Sequence, residues 1–295
     1  MSFDDLPPLP EPIHPEAVGY AERCMTATRN VQARHKVAID RAYGSDYWQK
    51  LDVYVPDMGR GGLPILLFFH GGAWTSGTKE WMGFMAPPLL SMPAVFATAN
   101  YRLAPTCRYP GPLEDCVDAL AWIHRHAVEF GGDPGRIFVG GHSAGGHLGA
   151  LTALRRDLWA QRGLPDGIVR GCFAISGSFD LRNRDAEPGS PQRRIYDVFL
   201  EHDDDDEIAS PISLVDEKAV PFHIAWGERD FPRLIDQAKA MEAALSRSGR
   251  AVETLVIPGR DHFGANEICA DTNSVWIAAV RRWLDASRSA TSKEG

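Results

Sequence analysis

A serine, an aspartate and a histidine follow apolar runs in this chain order, and together their side chains could carry out nucleophilic catalysis. Ser143 lies between Gly141 and Gly145 in the pattern G-x-S-x-G. Serine is a weak nucleophile at neutral pH, so it needs a base, and the base needs an acid that orients it. His262 and Asp230 have the residue types for these two roles. The spacing predicts acyl transfer through a covalent serine intermediate.

The residues around the serine predict a sharp turn from a buried strand into a helix. The apolar residues 137–139 precede the turn, and a pattern of small residues follows from position 144. Glycines two positions before and after the serine leave room for a turn that larger side chains would block. We expect the serine oxygen to project above the sheet, where the amino-terminal end of the helix stabilises a developing oxyanion.

Two other carboxylates compete with Asp230 for the role of the acid. Glu228 lies closer to the end of the preceding apolar run, and Asp261 is adjacent in sequence to His262. Neighbouring residues usually point their side chains apart, which disfavours Asp261. In open α/β sheets, ligands bind beyond the carboxyl ends of the strands, where Asp230 and His262 are both expected. We therefore predict Asp230 as the acid and His262 as the base.

A second glycine-rich segment predicts the remaining part of an oxyanion hole. The residues HGGAW (70–74) directly follow the apolar run 64–70, and their glycines allow the backbone to approach a substrate closely. One oxyanion donor is expected from the amide of Ala144, after the nucleophile, and the second from this loop. A plain Gly-Gly turn is the alternative interpretation of the segment.

Continuous apolar runs alternate with stretches of helical periodicity, which predicts a largely parallel sheet covered by helices on both faces. The apolar runs are 64–70, 94–101, 136–141, 171–177, 221–227 and 253–259. The helical stretches are about 15–33, 112–130, 144–157, 233–247 and 273–287. Two earlier strand-like segments between 36 and 56 are expected to form an antiparallel pair. We predict an α/β fold with about eight mostly parallel strands in a single domain, 1–295.

Charge and cysteine usage exclude several classes of protein. The net charge is −8 and no basic stripe is present, which argues against nucleic-acid binding. The five cysteines are scattered and predict neither a zinc site nor a disulfide framework. The acidic, proline-rich amino terminus does not resemble a secretion signal, and no apolar run is long enough to span a membrane. We predict a cytoplasmic protein that acts on a small molecule and needs no cofactor.

Aromatic residues near the predicted catalytic groups indicate a pocket for a flat or aromatic substrate, although such residues are also ordinary core material. They are Trp74, Trp81, Phe84, Phe231 and Phe263. Segments 1–35 and 181–210 are candidates for a lid. The second contains the acidic run 201–207, which is expected to be a solvated loop rather than a metal site. A homodimer through an exposed edge strand or the final helix is left open.

Several motifs resemble the α/β-hydrolase superfamily over nearly the whole chain. Similarity to the hormone-sensitive-lipase-like carboxylesterases is seen in HGGAW, YRLAP, PLEDCVDALAWIH, GGDPGRIFVGGHSAGGHL and GERD. A closer similarity is to the kynurenine formamidase (arylformamidase) group. It is seen in the form HGGxW and in GHSAGGHL, ISGSFDL, ASPISL, GERDFPRLIDQ and DHFGANE.

The resemblance implies a nucleophile, its two partners and three oxyanion donors. These are Ser143, Asp230 and His262, with the amides of Gly72, Ala73 and Ala144. It implies hydrolysis of an N-formyl-arylamine such as N-formylkynurenine, or of a short-chain or aryl ester. Ala73 stands where the esterases have the third glycine of HGGG, which keeps the amide and ester alternatives open. A non-catalytic binding protein on the same scaffold is a third alternative, but such proteins typically lose a triad member.

Overall fold

The computed structural model describes residues 6–57 and 61–291, with side chains described as far as residue 287. Its strands are β1 (Lys36–Ala42), β2 (Lys50–Val55), β3 (Leu63–Phe69), β4 (Val95–Ala99), β5 (Gly132–His142), β6 (Val169–Ile175), β7 (Phe222–Gly227) and β8 (Val252–Ile257). They form one sheet in the order β1-β2-β4-β3-β5-β6-β7-β8. β2 pairs antiparallel with β1 and β4, and all the other pairs are parallel. The prediction of about eight mostly parallel strands is confirmed.

Helices cover both faces of this sheet. They are α1 (Glu16–Gln32), α2 (Ala86–Ser91), α3 (Gly111–His126), α4 (Ala144–Leu154), α5 (Arg156–Gln161), α6 (Pro191–Arg194), α7 (Pro232–Arg247), α8 (Gly264–Glu267) and α9 (Val275–Thr291). Apolar residues of α3, α4 and α7 pack in one core cluster, and those of α1, α2 and α9 pack in another. Among the described helices, none combines the length and the apolar character that crossing a bilayer requires.

The central strands are apolar along their whole length because both of their faces are covered. Every residue of β3 and β4 is buried. Successive side chains of a strand point to opposite faces, so Leu67 and Phe69 join one core cluster while Leu66 and Phe68 join the other. This two-sided burial is the reason that continuous apolar runs indicate the strands of a parallel sheet.

The structure differs from the sequence expectations mainly in the short segments between strands. The predicted helix 144–157 is divided, because α4 ends at Leu154 and α5 begins at Arg156. Between β3 and β4 the chain forms short helical turns and α2, which are too brief to show an amphipathic period. Phe84 lies in this segment and packs in the core cluster with α1, so the expectation that it lines the pocket is wrong.

A buried lysine links β1 and β2 to the segment that follows β3. Lys79 is 1% exposed, and its Nζ lies 2.9 Å from Asp40 and 2.8 Å from Asp52. Glu80 supplies a third carboxylate. Burial opposes the charge of Lys79, but the carboxylates outweigh it and raise the pKa of the ammonium group. Burial raises the pKa of Asp52 to about 6 even beside Lys79, so this carboxylate depends on its partner to remain charged.

Replacing this lysine should destabilise the fold. In Lys79→Met, Asp52 is left buried without its counter-charge, which we expect to lower the free energy of unfolding by about 3–5 kcal/mol. Urea denaturation at neutral pH measures the change. Lys239→Met, on the exposed face of α7, is the matched control and should stay within about 0.5 kcal/mol of the parent chain. Equal unfolding midpoints for the two variants would contradict the role given to Lys79.

Candidate active site

Ser143 lies in the turn between β5 and α4, with a positive φ of 56° and a ψ of −120°. A conformation of this kind costs a non-glycine residue about 1–3 kcal/mol and persists only where the surroundings impose it. Here the close approach of strand and helix imposes it. A Cβ atom on Gly141 would lie 2.1 Å from the carbonyl oxygen of Gly145, so a larger residue does not fit. The turn places the serine at the carboxyl edge of the sheet.

The structure brings the three predicted catalytic side chains together in one hydrogen-bonded chain. Ser143 Oγ donates to His262 Nε2 at 3.0 Å, and His262 Nδ1 donates to Asp230 Oδ1 at 2.9 Å. Asp230 follows β7 and His262 follows β8, and each residue is 5% exposed. This geometry can pass the serine proton to the imidazole while the carboxylate holds the ring in the required tautomer.

The two carboxylates that competed with Asp230 stabilise local turns instead. Glu228 Oε2 accepts a hydrogen bond from the amide of Gly259 at 2.7 Å. Asp261 Oδ1 accepts one from the amide of Gly264 at 2.8 Å. Among the carboxylates that the structure describes, Asp230 is the one bonded to the His262 ring.

Several donors hold the carboxylate of Asp230. Besides His262, Oδ1 accepts from the amide of Phe231 at 2.8 Å, while Oδ2 accepts from the hydroxyl of Ser176 and from the amide of Gly227. Burial alone would raise the pKa of Asp230, but His262 and Ser176 outweigh it and hold that pKa below its ordinary value. The acid therefore stays ionised beside the base.

Sequence reasoning missed Ser176, although it lies inside the quoted motif ISGSFDL. Ser176 follows β6, has a left-handed φ of 51° and is 2% exposed. Its amide donates to the carbonyl of Ala225 in β7, which places its hydroxyl beside the residue that follows that strand. A serine after a strand carries no signal of this role, because its target depends on which strand lies next to it.

Two further histidines brace the site in neutral form. His142 Nε2 donates to the backbone oxygen of His262 at 2.9 Å, and burial, with the nearby charge of His262, lowers the pKa of His142 to about 3. His147 Nε2 donates to the carbonyl of Ala209 at 2.7 Å, and its Nδ1 accepts from Trp74 Nε1 at 3.1 Å. Burial lowers the pKa of His147 to about 4. These rings position neighbouring groups and are not bonded to Ser143.

The predicted oxyanion loop has an unusual backbone. Gly72, Ala73 and Trp74 have positive φ values of 117°, 51° and 61°. Gly72 and Ala73 line the same cavity as Ser143 and Ala144. Ala144 begins α4, and amides in the first turn of a helix have no carbonyl partner within it. The three residues whose amides the sequence suggests as oxyanion donors therefore line the cavity that contains the serine.

A cavity of about 600 Å³ opens above Ser143. Four of the aromatic residues that the sequence placed near the site line it: Trp74, Trp81, Phe231 and Phe263. The ring of Phe231 lies 4.7 Å from that of His262, and Trp74 stacks on Phe199 with 4.4 Å between ring centroids.

Two remote segments complete the walls of this cavity. Parts of 12–20 and of 189–199 line it, and they belong to the lid candidates 1–35 and 181–210. Residues 1–5 of the first candidate lie outside the described residues. Sequence reasoning did not identify Tyr20 as a lining residue, because only the folded chain brings it to the site.

Three carboxylates of the acidic run pair with arginines of the same region. Arg184 lies 2.7 Å from both Asp204 and Asp206, and Arg193 lies 3.8 Å from Asp203. Over residues 6–57 and 61–291, no group of three His, Cys, Asp or Glu side chains is arranged to hold a metal ion.

A comparison with protein families agrees with this architecture. A family model described as alpha/beta hydrolase fold matches residues 66–265, a region that contains Ser143, Asp230 and His262. This chain belongs to the α/β-hydrolase fold family. The segments before residue 66, including α1, lie outside the match, although residues 12–20 contribute to the cavity.

Individual relatives of this α/β hydrolase carry both esterase and formamidase names. It is 34% identical to Esterase LipC of Mycobacterium tuberculosis, over 78% of this chain and 61% of that protein. It is 40% identical to Carboxylesterase NlhH of the same species, over 79% and 78% of the two chains. Kynurenine formamidase of Danio rerio is 26% identical over 89% of this chain and 87% of the relative. The chain thus spans only part of LipC but most of the other two.

In this α/β hydrolase, removing the Ser176 hydroxyl should destabilise the ionised carboxylate of Asp230. We expect Ser176→Ala to lower kcat by about tenfold, the scale of one hydrogen bond to a charged group. The pKa of Asp230 should rise without this donor, so the acid limb of the rate profile should move to higher pH. Ser213→Ala, whose buried hydroxyl has no partner among the described residues, is the control. Superimposable pH profiles for Ser176→Ala and the parent chain would contradict this role.

A side chain at Gly72 should disturb the oxyanion loop. A Cβ atom there would lie 2.1 Å from the carbonyl oxygen of Ser76, so the loop must shift. We expect Gly72→Ala to lower kcat by about 10²–10³, as the loss of an oxyanion donor does. Gly163→Ala is the control, because Gly163 also has a positive φ but nothing within 4 Å of its Cβ position. Thermal unfolding checks that both variants fold, and full activity of a folded Gly72→Ala would contradict the role of the loop.

Proposed function

We propose that this chain is a serine hydrolase that cleaves small carboxylic esters or amides through an acyl-enzyme. The observation that carries the proposal is the hydrogen-bonded chain from Ser143 through His262 to Asp230 on the floor of a cavity. The positive φ of Ser143 supports it, because a strained serine between strand and helix is the arrangement of a nucleophile in this fold.

In the first half of the proposed reaction, Ser143 Oγ attacks the carbonyl carbon of the substrate while His262 Nε2 takes the serine proton. The amides of Gly72, Ala73 and Ala144 stabilise the negative charge on the carbonyl oxygen. His262 then gives the proton to the leaving alcohol or amine, the bond to that group breaks, and the acyl group stays on the serine.

In the second half, water replaces the leaving group. His262 takes a proton from the water as the oxygen attacks the acyl carbon, and the same amides hold the new oxyanion. The bond to Ser143 breaks, the serine oxygen regains a proton from His262, and the carboxylic acid leaves. Every proton is carried by His262, which explains why its ring is held by Asp230 at one nitrogen.

Two substrate classes are proposed, each favoured by a different observation. An N-formyl-arylamine, such as N-formylkynurenine, is supported by the match to kynurenine formamidase along most of both chains and by the aromatic cavity walls. A short-chain or aryl ester is supported by the higher identity to Carboxylesterase NlhH. In both cases, segments 12–20 and 189–199 would act as the cap over the bound substrate.

One assay separates these classes. The purified chain and Ser143→Ala are given N-formylkynurenine and p-nitrophenyl acetate under identical conditions. We expect turnover of at least one substrate, and Ser143→Ala should reduce it by about 10⁴–10⁶ because the nucleophile is missing. Ester turnover without formamide turnover would exclude the formamidase class. No turnover, together with no labelling of Ser143 by a fluorophosphonate probe, would overturn the hydrolase proposal in favour of a binding protein.

A further inference from the structure

Two arginines line the cavity without a carboxylate partner. Arg233 lies in the first turn of α7 and is half-buried, while Arg194 at the end of α6 is exposed. Across the part of the chain that the structure describes, neither guanidinium group makes an ion pair or a hydrogen bond. Other arginines of the same region are paired, as in Arg184 with Asp206 and Arg193 with Asp197.

The charge of the cavity is opposite to the charge of the chain. The chain has 39 acidic and 31 basic residues. None of the described residues that line the cavity is Asp or Glu, whereas Arg194 and Arg233 both line it. A cleft lined by charges of one sign focuses the field and concentrates ligands of the opposite sign. The cavity is therefore suited to an anionic ligand.

The position of Arg233 is electrostatically unfavourable unless an anion is bound. A cation in the first turn of a helix is repelled by the positive end of the helix dipole, and α7 has no acidic residue in that turn. Burial lowers the pKa of Arg233, with no nearby carboxylate to oppose the effect. Asp236, one turn further along α7, is not within ion-pair distance among the described contacts.

We propose that Arg233, with Arg194 in the same cavity, forms an anion subsite that selects esters or amides carrying a carboxylate away from the scissile bond. The planar guanidinium group presents parallel N–H donors that match the two oxygens of a carboxylate. The inference rests on the proposed hydrolase function, because the subsite acts on the substrate that Ser143 attacks.

The experiment compares matched esters that differ in one carboxylate. 4-Acetoxybenzoate and its methyl ester place the difference on the leaving group. Mono-4-nitrophenyl adipate and its methyl ester place it on the acyl chain. For each pair we measure the ratio of kcat/KM, carboxylate over neutral. We expect a ratio about tenfold higher in the parent chain than in Arg233→Gln for at least one pair. Added salt should lower the ratio of the parent chain.

The variants separate the subsite from a general effect of charge. Arg194→Gln should lower the ratio less than Arg233→Gln does, because Arg194 is exposed. Arg233→Lys should retain part of the preference, since it keeps the charge but loses the paired donors. The matched control is Arg247→Gln, an exposed arginine in the last turn of the same helix, and both its ratio and its neutral-ester turnover should equal those of the parent chain.

The outcomes distinguish this inference from the proposed function. Cleavage of the neutral esters with equal ratios in the parent chain, Arg233→Gln and Arg194→Gln would overturn the anion subsite and leave the hydrolase proposal intact. Failure of the parent chain to cleave any of the four esters or N-formylkynurenine would overturn the anion subsite. If p-nitrophenyl acetate is also not cleaved and a fluorophosphonate probe does not label Ser143, the hydrolase proposal is overturned too. Thermal unfolding verifies that each variant is folded, and Arg233→Lys provides the comparison if Arg233→Gln does not fold.

Discussion

The hydrogen bond from Ser143 to His262 depends on the convergence of three separate turns at one edge of the sheet. The serine follows β5, the acid follows β7 and the base follows β8, so the parallel register of these strands sets the distance between the groups. The tight packing of strand against helix around Ser143 holds its strained backbone. A small shift of any of these strands would therefore separate the nucleophile from its base.

Electrostatics inside the site are arranged in two layers. Next to the nucleophile, a buried but ionised Asp230 is balanced by donors, while His142 and His147 are kept neutral by burial. Farther out, the cavity wall carries arginine side chains and no described carboxylate, although the chain as a whole is acidic. The first layer is arranged as the acyl transfer proposed for Ser143 requires. The second layer has a different proposed role, which is to bind a part of the substrate away from the scissile bond.

Much of the fold could be predicted because its signals are local. Two-sided burial makes β3 and β4 continuous apolar runs, and the glycines around Ser143 mark the turn that follows β5. The misses also have a physical reason. The short turns between β3 and β4 have no room for an amphipathic period, so Phe84 gave no indication that it packs in the core. No local sequence signal distinguishes an ester substrate from an amide substrate, since a relative named carboxylesterase and one named formamidase both match the chain.

The sequence by itself determined which side chains are candidates for nucleophilic catalysis. Residue type and position at strand ends were sufficient to select Ser143, Asp230 and His262, because turns after parallel strands meet at a shared edge. Only the tertiary structure decided what surrounds these groups. Ser176 reaches Asp230 through the pairing of β6 with β7, and Arg233 lacks a partner because no described acidic side chain folds toward it. Whether two residues far apart in the chain come into contact depends on the fold, and their spacing in the sequence does not predict it.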